Sequence, residues 1–194
     1  MHIVGTDAAT VDADLIDGRL GCPTCGNALQ PWGHARLREI RHLEHIERRR
    51  FRRSACSGCK QTHVLIPEDT LARRRDAVSV IGAALVAHAN GSGHRRIAEA
   101  LGRPASTVRG WLRRFRQQAQ ALREHFTRWA HALDPSRGPV VPSPSTFGDA
   151  VEAAGVLGVV AVRRFGPRPP WSLVSVVTGG RLLANTNTPF PQPM

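Results

Sequence analysis

Lysine is almost missing from this 194-residue chain: Lys60 is the only one, and arginine supplies the rest of the 27 basic residues. Arginine preference alone says little about bidentate recognition, because a GC-rich coding sequence also produces it. Acidic residues are scarce too, 15 in all, so the formal net charge is +12 and the isoelectric point about 11.5. That imbalance favours a polyanionic partner. No stretch of about 20 apolar residues occurs, which excludes a membrane-spanning helix, and nothing at the start reads as a signal peptide. The chain is expected to be soluble and cytoplasmic, associated with the nucleoid, with no membrane partner. There are four cysteines, and in that compartment paired cysteines more often hold a metal than form disulfides. The length suits one or two small domains with a real core.

What is present is organised around residues 94–115. Ile97, Ala98 and Leu101 make the apolar face of a short helix. Gly102 stands where a helix ends in the left-handed conformation that glycine adopts at least cost. Pro104 suits the first turn of a second helix, whose buried stripe is Val108, Trp111, Leu112 and Phe115. Small Ala98 permits close crossing, and Val108 fills the junction. This pattern is a helix-turn-helix, whose second helix lies in the major groove of DNA. An ordinary helical hairpin is the competing reading. Against it, the outward residues Ser106, Thr107, Arg109, Gly110 and Arg113 are polar, small or basic. Arginine commonly contacts guanine, and serine or threonine reaches a base edge or a phosphate. These five are the expected base-reading residues, and Arg95, Arg96, Arg103 and Arg114 the expected contacts to the DNA backbone.

Residues 1–20 hold four aspartates and no sustained apolar pattern, so a loose leader is expected, with Ile3 and Val4 able to add a short strand. Cys22-Pro-Thr-Cys25 and Cys56-Ser-Gly-Cys59 follow, about thirty residues apart, with Gly26 and Gly58 easing each knuckle. Four thiolates in two such pairs complete a closed tetrahedral shell, which predicts a structural Zn²⁺ held by Cys22, Cys25, Cys56 and Cys59. Its contribution to folding would be on the order of 10 kcal/mol. Thioredoxin-like redox chemistry is the alternative, but no surrounding βαβ pattern supports it. His34 and His63 are expected at the surface or beside the ligands. Residues 28–40 and 45–55 read as two strands, with Trp32, Ile40, Ile46 and Phe51 as apolar cover, and residues 62–66 as a third. The second strand is rich in arginine, and Arg48, Arg50 and Arg52 are expected to track DNA phosphates. A merely solvated charged face is the competing reading.

Residues 68–89 read as a helix capped by Asp69 or Thr70, with Val78, Ile81 and Leu85 buried. Arg73, Arg74 and Arg75 near its start would oppose the helix dipole, an arrangement that a nearby phosphate relieves. The recognition helix continues: Val108, Leu112, Phe115, Ala119, Leu122, Phe126, Trp129 and Leu133 are spaced alternately four and three apart. Such a heptad seam serves equally to pack on the chain's own C-terminal segment or to form a homodimer across two DNA half-sites. Pro135, Pro139, Pro142 and Pro144 mark a linker, residues 147–164 a further helix that Thr146 can cap, residues 171–178 either a strand or a helix, and residues 179–194 a tail.

The ordered parts Cys-Pro-x-Cys-Gly, the basic hairpin with Trp-Gly-His, Cys-x-x-Cys, Thr-His-Val-Leu-Ile-Pro and Gly-His-Arg-Arg-Ile-Ala carry a resemblance over about residues 20–133. The chain resembles the N-terminal DNA-binding region of insertion-sequence transposases, and more closely stand-alone bacterial helix-turn-helix proteins with a zinc ribbon of unassigned function. The resemblance implies binding to transposon-end DNA and zinc on the four cysteines. It does not extend to catalysis. Transposases of this kind use three carboxylates on a ribonuclease-H-like sheet, and after the linker only Asp149 and Glu152 are acidic. The expected fold class is α+β: a small β zinc ribbon (21–67) after the leader (1–20), then a mainly α helix-turn-helix domain with a long third helix (68–133), a linker (134–146) and a small C-terminal segment (147–194). The expected function is non-catalytic, sequence-specific binding of duplex DNA in a transposition setting, beside a separate transposase or integrase. A transcription regulator is the alternative, a nuclease the competing class, and RNA binding stays open for the ribbon alone.

Overall fold

The structure, a computed structural model, describes residues 1–136, 143–184 and 190–193. It is α+β, with a small sheet followed by a helical region. The sheet order is β1-β4-β3-β2, built from β1 (His2–Val4), β2 (Leu29–Arg41), β3 (Ile46–Cys56) and β4 (Thr62–Pro67). β2 and β3 form the basic hairpin, with Leu37 opposite Arg50, Glu39 opposite Arg48 and Arg41 opposite Ile46. Because side chains alternate along a strand, this register turns Ile40 and Phe51 inward, where both are buried. The same alternation puts Ile46 on the face of Arg48 and Arg50. Ile46 and Trp32, expected as cover, are 62% and 58% exposed.

The first twenty residues are not a loose leader. β1 pairs in parallel with β4, and α1 (Ala8–Ile16) starts at Asp7, whose carboxylate accepts the N–H groups of Ala9 and Thr10. Val11 and Leu15 of α1 join Cys22, Leu29, Cys56 and Leu65 in a small core of their own beside the cysteine knuckles.

The next helix, α2 (Val78–Ala89), begins at Val78 rather than at Glu68. Arg73 sits at φ 60°, which a right-handed helix cannot hold. Buried Asp76 accepts from Arg41 and Arg103, at 2.7 and 2.6 Å. Those two ion pairs fix residues 68–77 as a loop, so Arg73, Arg74 and Arg75 oppose no helix dipole. α3 (His94–Ala100) and α4 (Ala105–Leu133) follow, separated by Gly102 at φ 60°. α5 (Thr146–Phe165) is capped by Ser145, whose Oγ accepts the Gly148 N–H at 3.0 Å, and not by Thr146. Residues 171–178 fall mostly in a helix, α6 (Pro170–Val177).

The heptad seam of α4 is covered within the chain. Val108, Leu112, Phe115, Ala119, Leu122 and Phe126 are buried in one core with Ala150, Ala154, Leu157 and Ala161 of α5, and Phe115 meets Phe147 edge to face at 4.7 Å. The seam is thus no free dimer face. Nor are residues 179–184 a tail: Leu182 and Leu183 are fully buried in that core, and further on Phe190 lies 5.0 Å from the His125 ring. Of the linker, Pro139 and Pro142 lie outside the described residues.

Candidate metal centre and nucleic-acid interface

The two cysteine knuckles converge. β2 and β3 start and end at them, and the hairpin pairing of Leu29 with Cys56 closes the loop between the pairs. The four Sγ atoms all lie within 4.8 Å of one another, with Cys22–Cys59 at 3.7 Å and Cys25–Cys56 at 3.4 Å. A disulfide needs about 2.0 Å, whereas four sulfurs bonded tetrahedrally to Zn²⁺ at about 2.3 Å stand about 3.8 Å apart. The spacing fits the ion. So does the chemistry of the donors. The Asn27 side-chain amide and N–H hold the Cys25 thiol down to about 6. Burial opposes ionisation of Cys22, but the N–H groups of Thr24 and Cys25 outweigh it and lower that thiol too. At Cys59 the Gln61 N–H favours the thiolate, yet burial and the three neighbouring sulfurs push the group up to about 12. Full ionisation of the cluster therefore calls for a cation at its centre.

His63 supports this cluster from β4. Its Nε2 lies 3.5 Å from Cys22 Sγ, and its Nδ1 lies 3.4 Å from the amino group of Met1. Burial, joined by the terminal charge, lowers the His63 pKa and keeps the ring neutral. Position alone had put His63 near the ligands; nothing local marked the contact with Met1.

The second group of candidate residues lies on α3 and on the first three turns of α4. Ser106, Arg109 and Arg113 are exposed, Thr107 and Gly110 half-buried, while Val108, Trp111 and Leu112 turn into the core. That separation follows from the helical period and leaves one polar, basic face free. Arg95 and Arg96 on α3 are exposed, and half-buried Arg114 donates to Gly110 O at 3.3 Å. On the hairpin, Arg50 is exposed and Arg48 is 71% exposed with only a long 3.4 Å pairing to Glu39.

Two expected backbone contacts have other partners. Arg103 is almost enclosed: Nε pairs with Asp76, Nη2 donates to His42 O at 2.6 Å, and Nη1 to Leu101 O at 3.0 Å. It ties the helix-turn-helix turn to the β2–β3 turn of the hairpin and has no fork left for a phosphate. Half-buried Arg52 pairs with Asp12 of α1 at 2.5 Å. Asp76, which sequence reasoning passed over, is the hub of the first arrangement. Its signal lies wholly in three dimensions, since its partners are 35 and 27 residues away.

A protein-family model described as a homeodomain-like domain matches residues 78–123, which span α2, α3 and the first part of α4. The match supports a DNA-binding role for this trihelical unit. No curated protein and no solved structure matches the chain. Among the described residues no helix is long and apolar enough to cross a membrane.

Proposed function

We propose that the protein is a non-catalytic, sequence-specific binder of duplex DNA that acts in transposition, as the DNA-binding partner of a separate transposase or integrase. The observation that carries this reading is the free face of α4: Ser106, Thr107, Arg109, Gly110 and Arg113 are turned away from a core that the same helix anchors. In the major groove, Arg109 and Arg113 present forked donors matching guanine O6 and N7, and Ser106 and Thr107 offer hydroxyls to bases or phosphates. Arg95, Arg96, Arg114, Arg48 and Arg50 supply the charge that holds register.

Cys22, Cys25, Cys56 and Cys59 would hold Zn²⁺, which supplies a cross-link between the two ends of the hairpin and no open position for chemistry. The ion's work is to make a short sheet rigid.

Selection of bound duplexes from a random DNA pool by zinc-loaded protein tests the reading. Enrichment of one motif that recurs at transposon ends is the expected result. A motif found in promoters would favour a transcription regulator instead. Tight, salt-sensitive binding with no enriched motif would overturn base reading by α4.

A further inference from the structure

Beside the turn end of the hairpin lies an open cleft of about 440 Å³, lined by Leu37, Arg38, Glu39, Arg48, Arg73 and Arg75. Four of these six residues are arginines. Among the described residues Glu39 is the one carboxylate that lines the cleft, against four guanidinium groups, and it is already turned to Arg48 at 3.4 Å. Arg38 is half-buried over the Phe51 ring, 5.1 Å from its centroid, and donates to Arg74 O at 2.7 Å. Burial, and then the charge of Arg75, weakens its hold on its proton, a tension that a bound anion relieves.

The walls are fixed before anything binds. Arg41 N donates to Arg75 O at 2.7 Å and Ala77 N to Arg41 O at 3.0 Å, so residues 75–77 add a rung to the end of β2. Arg73 is held at φ 60°, outside the region that a side chain favours, while neighbouring Ala72 N donates to Gly180 O at 2.9 Å. The wall is also tied to the helix-turn-helix: Asp76, next to Arg75, pairs with Arg41 of β2 and with Arg103 in the turn between α3 and α4. A rigid, open, arginine-lined cleft suits the phosphodiester backbone, whose oxygens guanidinium forks match in pairs.

We propose that Arg38, Arg48, Arg73 and Arg75 seat a backbone phosphate of the duplex that α4 reads, so that hairpin and helix-turn-helix clasp one DNA as a single body. This rests on the DNA-binding reading above and adds to it a second contact at a defined place.

The test uses the full-length, zinc-loaded protein and the duplex enriched by selection. Binding constants are measured between 50 and 200 mM salt for the wild type, for Arg73→Ala/Arg75→Ala, and for Arg48→Ala, whose exposed side chain keeps the fold out of question. Each lost phosphate contact should flatten the plot of log K against log salt by about one unit. The double variant should enrich the same motif as the wild type, and its hydroxyl-radical footprint should shorten on one flank. Slopes and footprints equal to those of the wild type in both variants would overturn the cleft, and with it Arg48 as a backbone contact, while leaving DNA binding through α4 intact. A wild type that binds no duplex at all would overturn the reading itself, and the cleft with it.

Discussion

At Cys25 the low-lying thiol and its neighbours make a test of the metal direct. Cys25→Ser removes one of four donors, and the variant should retain less than one equivalent of zinc and lose the hairpin's cooperative melting; full zinc content by elemental analysis would remove Cys25 from the ligand set. Asp76 is legible only in the folded chain. Asp76→Ala leaves Arg103, whose side chain is 9% exposed, buried without its carboxylate. Removing one partner of a buried pair costs about 3 kcal/mol, a loss that urea unfolding would reveal. His125 carries a pH signature. It is fully buried, its Nε2–H donates to Val177 O at 2.8 Å, and its Nδ1 meets no partner among the described residues. Burial above all, with help from the charges of Arg128 and Arg181 and against the pull of Val177 O, lowers its pKa. The folded state thus keeps the ring neutral while the unfolded chain takes up a proton near pH 6.5. Stability is fully present above that value and declines as pH falls through it toward the lower folded pKa. The melting temperature should fall between pH 7 and 5, and less steeply in His125→Gln; parallel curves would remove His125 from the acid response.

At the scale of elements, the helix-turn-helix, the hairpin and the cysteine knuckles were legible because each is a local pattern: helical period, strand alternation, or a two-residue spacing. What escaped was decided by distant partners. β1 is three residues long; Ile3 and Val4 hinted at a strand, but its partner β4 lies some sixty residues on and only the fold shows it. Residues 68–77 include Leu71, Ala72 and three arginines, all good helix formers, and the ion pairs of Asp76 override that preference. The α4 seam suited the chain's own C-terminal segment or a second copy equally, and only the structure shows that α5 covers it. Leu122→Ala on the seam should therefore cost about 3 kcal/mol in folding and leave the molar mass in solution unchanged; dissociation of a dimer on that substitution would contradict the internal packing. Gly82 gives a sharper test of helix contact. A Cβ there would stand 2.2 Å from the Trp171 indole, so Gly82→Ala, favourable for an isolated helix, should instead destabilise by about 1–3 kcal/mol. A rise in melting temperature would mean that α6 does not lie where it is described.

For the whole molecule, charge was visible from composition but its distribution was not. Arg52 and Arg103 belong to internal ion pairs, whereas Arg73 and Arg75 are exposed in an open cleft. Counting arginines could not separate the two groups, since the carboxylates that engage Arg52 and Arg103 lie far off in the sequence. Arg109→Ala or Arg113→Ala should cost about 1–3 kcal/mol in binding and relax preference at one base position; equal losses on selected and random duplexes would argue against base contact.

α4 runs unbroken from the free face at Ser106–Arg113 to the buried stretch between Ala119 and Ala130. One end is answerable to a ligand, the other to the fold. Substitutions at the outward positions of the first three turns can accumulate without disturbing the core, while those on the seam cannot. A lineage of such proteins can thus acquire new target sites on an unchanged frame, and its members should diverge fastest in the few positions that decide where they bind.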